Sequence, residues 1–229
     1  MLSDLASTVV VFDLDDTLYP EADYVDSGAR YVCAQIEALY GLDIFPSVKD
    51  AIEQDPKVDW LATACELAKL SRMAKDSLLW MYRLHTPEVS LSVSCKEALK
   101  SIRSACKAVA VLTDGRSVTQ RLKLRALGLA DWHAYISEDY GAPKPSPDRF
   151  KAIKQDYPAK HYIYVADNVK KDFVGCNPLG WICIGMRANA RNVHSQVLGD
   201  LPESAMPAYW IDSWHELTEL LFNENPRPP

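Results

Sequence analysis

The sequence predicts an α/β protein: a parallel β-sheet covered by helices, interrupted once by an all-helical block. Three observations carry this. Short β-branched apolar runs recur along the chain, helical patterns separate them, and the stretch from 21 to 87 holds no strand pattern.

The first run, TVVVF at 8–12, is apolar without alternation, as expected of a strand buried on both faces of a parallel sheet. Similar runs follow at 108–112 (AVAVL), 161–165 (HYIYV) and 181–184 (WICI), with weaker ones at 133–136 and 208–211. Between them, the spacing predicts helices over 95–105, 117–127, 147–156 and 213–222. The strandless stretch predicts helices over 24–40, 47–54, 58–70 and 74–84, punctuated by Pro46, Pro56 and Pro87, with Gly41 as a helix stop. A helical block placed after the first strand predicts a small second domain at 20–87. It would join a core of 1–19 and 88–229 through linkers near 19–22 and 86–91. The tail from Asn223 to Pro229 reads as disordered.

A chain of 229 residues accommodates one sizeable core and a smaller domain. Its formal net charge of −6 argues against a nucleic-acid partner, which is held mainly by surplus Lys and Arg. A small phosphorylated substrate stays open, because a metal and two or three local cations can reverse the field in a pocket. No run approaches the ~18 apolar residues that suggest a membrane span. Cys33, Cys65, Cys95, Cys106, Cys176 and Cys183 form no C-x-x-C pair and read as buried reduced thiols. Nothing at the N-terminus reads as cleavable, so a cytoplasmic protein is expected, as monomer or homodimer.

The chemistry-bearing residues stand where strands end. Asp13 and Asp15 follow the first strand, Thr113 and Asp114 the second, and Asp167 the YIYV strand. In open parallel sheets ligands bind beyond the carboxyl ends of the strands, so these residues should converge. Mg²⁺ takes oxygen ligands, typically one or two carboxylates with waters and substrate phosphate, and Asp13 with Asp167 would make a suitable pair. Asp172 would either support the metal's waters or hold a lysine. Lys144, in the GAPKPSP loop stiffened by three prolines, can offset crowded negative charge. Thr113, Asp114 and Gly115 open a helix and offer a hydroxyl and backbone N–H groups to an anion. Arg116 either reaches that anion or points into solvent. Each feature alone has a plainer reading: a solvated acidic turn, a surface lysine, a helix cap.

As an ordered set they resemble the four motifs of the haloacid dehalogenase superfamily: VVVFDLDDTL, VLTDG, the lysine of GAPKPSP, and VADNVKKD. The resemblance implies a three-layer Rossmann-like core with an inserted helical cap, and an Mg²⁺-dependent phosphatase. By that resemblance Asp13 is the nucleophile that becomes phosphorylated, and Asp15 the general acid and base. Thr113, Asp114, Gly115 and Lys144 would bind phosphate, while Asp13, the backbone carbonyl of Asp15, and Asp167 would hold Mg²⁺, with Asp172 in support. Metal-bound Asp13 would stay ionised and Asp15 would be available protonated. Two positions depart from the pattern: Asp114 stands where Asn is frequent, and Ala166 where Gly is common.

Asp15 speaks against dehalogenation, since the true dehalogenases lack the second aspartate. A phosphonatase would need a cap lysine, and Lys49, Lys57, Lys69 and Lys75 give no way to choose one. The expected substrate is a sugar phosphate or similar small phosphomonoester. The alternatives are a nucleoside monophosphate, a phosphomutase reaction, or a non-catalytic binding protein on the same fold. Specificity is expected from Tyr19, Tyr24, Arg30, Arg72, Arg83 and His85, with Tyr24, Tyr31 and Trp80 read as core of the helical block.

Overall fold

The structure, a computed structural model, describes residues 4–188, 192, 196, 201–202 and 205–223. Six strands form one parallel sheet: β1 (Thr8–Phe12), β2 (Ala108–Thr113), β3 (His133–Ile136), β4 (His161–Ala166), β5 (Ile182–Met186) and β6 (Tyr209–Ile211). Their spatial order is β3-β2-β1-β4-β5-β6. β1 is central and every residue in it is buried, which is why its sequence shows no alternation. Its side chains nevertheless alternate between two cores. Val10 and Phe12 pack with Leu99, Ile102 and Leu217 on one face; Val9 and Val11 pack with Phe150, Ile153 and Tyr164 on the other. Helices α5 (Val93–Ala105), α6 (Ser117–Ala126) and α9 (Trp214–Phe222) cover the first face, and α8 (Asp148–Asp156) the second. The result is the three-layer α/β core that the strand–helix alternation predicts. The two weakest apolar runs, β3 and β6, are the edge strands. The shortest helical elements were not legible: α7 (Ser137–Tyr140), for example, spans four residues, too few to show a 3.6-residue period.

Between β1 and α5 the chain forms α1 (Glu21–Tyr40), α2 (Phe45–Gln54), α3 (Trp60–Leu67) and α4 (Ala74–Leu84). These helices bury a cluster of their own, centred on Val32, Ile36, Val48, Ala64 and Leu78. Gly41 stops α1 in the left-handed region, φ +68°, where a residue without Cβ carries no penalty. Pro46 lies inside the first turn of α2 and opens the helix, because the N–H it lacks has no partner there in any case. α3 is shorter than its apolar pattern suggests: Asp59 caps its start through Ala62 N–H at 3.1 Å, and Lys69 turns left-handed soon after its end. The helical segment touches the core where the Thr119 hydroxyl donates to the Arg83 carbonyl at 3.2 Å.

Tyr24 is buried, but in the cluster of the sheet rather than that of the helical block, and Tyr31 and Trp80 are 41% and 55% exposed and are not core. All six cysteines are unpaired, five of them buried. Among the described residues no helix is long and apolar enough to cross a membrane. The tail read as disordered lies, apart from Asn223, outside the described residues.

Candidate active site

β2 lies on one side of β1 and β4 on the other, so the chain reverses its direction of travel across the sheet at β1. A crevice opens there beyond the strand ends. Phe12 is in register with Val165, and the Asp13 N–H continues the ladder to the Val165 carbonyl at 2.9 Å. The next residue of each chain segment, Asp13 and Ala166–Asp167, therefore emerges side by side. Thr113 ends β2, and Lys144 arrives from the proline loop, where its peptide to Pro145 is cis. The residues predicted to converge line one cavity of about 90 Å³: Asp13, Asp15, Thr113, Asp114, Lys144 and Asp167. Three that sequence reading did not single out, Glu21, Asn168 and Lys171, complete it. Larger surface grooves, such as one of about 400 Å³ between α5 and α9, gather no such set of charges.

Lys144 is buried between two carboxylates, with Nζ 2.8 Å from Asp13 Oδ1 and 2.6 Å from Asp172 Oδ1. Burial alone would lower its pKa, but the charges of Asp13 and Asp172 hold it well above the usual lysine range. Asp172 is fully engaged, since it also accepts from the Tyr164 hydroxyl at 3.4 Å and from Asn168 N–H at 2.8 Å. Of the two roles open to it, the geometry favours holding the lysine.

Burial pushes the Asp13 carboxyl up to about 6, with Lys144 opposing and Asp172 adding to the rise. Asp167 is pushed further, to about 8, by burial and then by the charges of Asp13 and Asp172. One oxygen each from Asp13, Asp167 and Asp172 lies within 4.8 Å of the others. Asp167 Oδ1 accepts from Thr17 at 3.3 Å, whereas its buried Oδ2 has no hydrogen-bond partner. A buried acceptor without a donor beside a second carboxylate fits a hard divalent cation, so the residues present suit Mg²⁺. For the metal-free protein, an acid raised from 3.8 to about 8 loses stabilisation as pH rises from about 4 to about 8. A cation must displace that proton. Its apparent affinity, read from thermal shifts, should therefore fall by roughly tenfold per unit as pH drops from 8 to 6. A flat profile would show that no proton is displaced from Asp167 between pH 6 and 8.

In the metal-free protein the two motif-one carboxyls differ. Burial would raise Asp15 too, but Lys123 outweighs it, with Nζ 2.8 and 3.0 Å from the two Asp15 oxygens. The Tyr19 hydroxyl donates to Asp15 at 2.5 Å and Gln120 at 3.1 Å. Asp15 is thus held below the ordinary carboxylate range and stands ionised, while metal-free Asp13 is the weaker acid.

The predicted anion cradle at the start of α6 is largely occupied by protein. Gly115 N–H donates to Ser137 Oγ at 2.9 Å, and Ser117 N–H to Glu138 at 2.7 Å. Arg116 pairs with the same Glu138 at 2.6 Å and faces away from the cavity. Gly115, at φ +145°, is needed for space, because a Cβ there would meet the Gln120 amide at 3.1 Å. The Asp114 carboxylate is held by cations on two sides, with one oxygen 3.7 Å from Lys171 Nζ. It pairs with fully buried Arg149 and accepts from Lys144 N–H at 3.1 Å. Arg149 also donates to the Thr113 carbonyl at 2.7 Å, so the pair ties the end of β2 to the lysine loop. Of the four residues predicted to bind phosphate, Thr113, Asp114 and Lys144 line the cavity and Gly115 does not. Gln120, Lys123 and Arg149 were missed, since a polar residue within a helix leaves no sequence signal of where it points.

A family model of haloacid dehalogenase-like hydrolases matches residues 8–179. The chain is 25% identical to ribulose-1,5-bisphosphate 5-phosphatase of Halopiger xanaduensis, over 94% of this chain and 99% of that protein. It is 25% identical to glyceraldehyde 3-phosphate phosphatase of Methanocaldococcus jannaschii, over 93% and 96%. In fold it is similar to the hydrolase YfnB of Bacillus subtilis, solved bound to magnesium, with TM-score 0.63, 19% identity and coverage of 94% and 99%. The chain belongs to the haloacid dehalogenase-like hydrolases. Within that family it is an enzyme of the phosphoric monoester hydrolase class.

Proposed function

We propose that the protein is an Mg²⁺-dependent phosphatase of a small phosphorylated metabolite, a sugar phosphate or similar monoester, working through an aspartyl-phosphate at Asp13. The observation that carries this is the convergence of Asp13, Lys144 and the partnerless Asp167 Oδ2 in one cavity at the strand ends. Asp13, Asp167 and the Asp15 carbonyl would hold Mg²⁺, which supplies charge neutralisation of the transferring phosphoryl group. Asp13 attacks phosphorus, and Lys144 with Thr113 holds the phosphoryl oxygens. Asp15 gives a proton to the leaving oxygen and later takes one from the attacking water. Because Asp15 is held low in the unliganded protein, it takes up a proton, from solvent or from the substrate, before it can give one to the leaving oxygen. A phosphate monoester whose second pKa is about 6 can carry one.

In this reading residues 20–87 form a cap that closes over the cavity and excludes water. Glu21, at the start of α1, puts a carboxyl into the cavity that burial, with the Asp15 charge, pushes up to about 7. Such a group suits a substrate hydroxyl better than a second phosphate. The narrow cavity and Glu21 favour a polyol phosphate over a nucleotide, and both named relatives act, by name, on sugar-type phosphates. The unpaired cysteines fit a reducing, cytoplasmic setting.

Hydrolysis of p-nitrophenyl phosphate should require added Mg²⁺ and stop with chelator. A panel containing sugar phosphates, bisphosphates and nucleoside monophosphates should then give its highest kcat/KM on a sugar or polyol monophosphate. Folded protein without Mg²⁺-dependent turnover on any of them refutes the phosphatase reading. Phosphate appearing on a second position of the product, instead of in solution, would make it a mutase.

A further inference from the structure

Lys123 is a buried cation outside all four sequence motifs, only 4% exposed. Its Nζ contacts both oxygens of Asp15, at 2.8 and 3.0 Å, and stands 4.1 Å from the ring centroid of Tyr24. Lys123 belongs to α6 of the core, whereas Tyr24 belongs to α1 of the helical insert. A buried ammonium persists only where a counter-charge and further partners compensate its lost hydration. Asp15 supplies the first and the face of the Tyr24 ring the second. Tyr24 is itself fixed, with its ring 5.0 Å from Tyr82 and 5.1 Å from His85. Gln120 lies three residues before Lys123 on the same helical face. Its Nε2 reaches Asp15 at 3.1 Å and Thr113 Oγ1 at 2.7 Å.

We infer that Lys123 is a positioning residue for Asp15, and that Tyr24 of the helical insert sets where Lys123 stands. This rests on the reading of Asp15 as the group that exchanges protons with the leaving oxygen and the water. Proton transfer needs one carboxyl oxygen within hydrogen-bond reach of the reacting atom. An unrestrained aspartate turns about two bonds, but Lys123 grips both oxygens of this one. Because part of the grip is a ring from the insert, the stance of the insert over the core is transmitted to the Asp15 carboxyl.

Lys123→Met keeps the unbranched stem and removes the charge. On an alkyl phosphate, whose alkoxide leaves poorly without a proton, kcat/KM, which covers the steps through release of the alcohol, should fall roughly 10²-fold. On p-nitrophenyl phosphate, whose phenolate leaves unaided, the fall in kcat/KM should stay below about tenfold, while kcat falls on both substrates because the water step also needs Asp15. Lys123→Arg should recover much of the alkyl phosphate rate, and Tyr24→Leu should show a smaller loss with the same leaving-group dependence. If Lys123→Met does not fold by circular dichroism, Lys123→Gln carries the same comparison. Equal losses of kcat/KM on both substrates, or a rise in kcat, overturn the inference. Should Asp13→Asn turn over like wild type, the phosphatase reading itself has failed. A leaving-group-independent loss in an enzyme that does depend on Asp13 sinks only the role of Lys123.

Discussion

Asp13→Asn is expected to remove phosphate ester hydrolysis, by on the order of 10⁴-fold or more, as loss of a covalent nucleophile does. The same change should leave the fold at least as stable as wild type in the absence of metal. Burial lifts the Asp13 carboxyl from 3.8 to about 6, so above pH 6 the folded chain keeps a carboxylate that the unfolded chain carries at less cost. That difference amounts to roughly 2–3 kcal/mol at neutral pH, and an amide does not incur it. Lys144 loses one partner but retains Asp172 at 2.6 Å. Activity and thermal melts measured on one preparation give both outcomes. Retained turnover would remove Asp13 from the role of nucleophile. A melting temperature far below wild type would show that the Asp13–Lys144 contact stabilises more than burial costs.

Lys144→Met is expected to damage both properties at once. Its ammonium faces Asp13 and Asp172 from a position 1% exposed, and removing it leaves carboxylates crowded together without a cation. Breaking a buried pair from one side typically costs about 3–5 kcal/mol. In a chain of this size that lowers the melting temperature by roughly 6–20 °C. Loss of a donor to the phosphoryl oxygens should lower kcat by about 10²–10³-fold. Added Mg²⁺ should restore part of the stability, since a dication beside Asp13 and Asp167 offsets the same negative charge. A variant that melts with wild type, with or without Mg²⁺, would show that protonation of the carboxyls already compensates for the missing lysine.

These two residues were legible because their environment is written locally. Asp13 directly follows a β-branched apolar run that reads as a buried strand, and Lys144 sits among prolines that restrict its loop, which folds as a turn closed by Ser146 N–H to the Pro143 carbonyl at 3.0 Å. The same logic placed Thr113 and Asp167, and the sheet delivered them to one cavity. Tyr31 and Trp80 went the other way: their helical spacing suggested core, but spacing does not say which face of a helix finds a partner. Pro46 read as punctuation just before a helix at 47–54 and lies instead inside the first turn of that helix, because the cost of proline depends on its position within the turn.

The strand-end carboxylates, the lysine loop and the α/β order with its helical interruption follow from sequence alone, since periodicity and chain direction determine where a strand delivers its last side chain. Only the tertiary structure decided how those groups are charged and where they point. It paired Asp114 with Arg149, filled the Gly115 turn with Ser137 and Glu138, placed Asp172 against Lys144, and made Asp15 the stronger acid of the two in the metal-free protein. The reason is physical: a carboxyl's protonation and direction depend on burial and on cations from distant segments. Lys123 stands 108 residues from the Asp15 it holds.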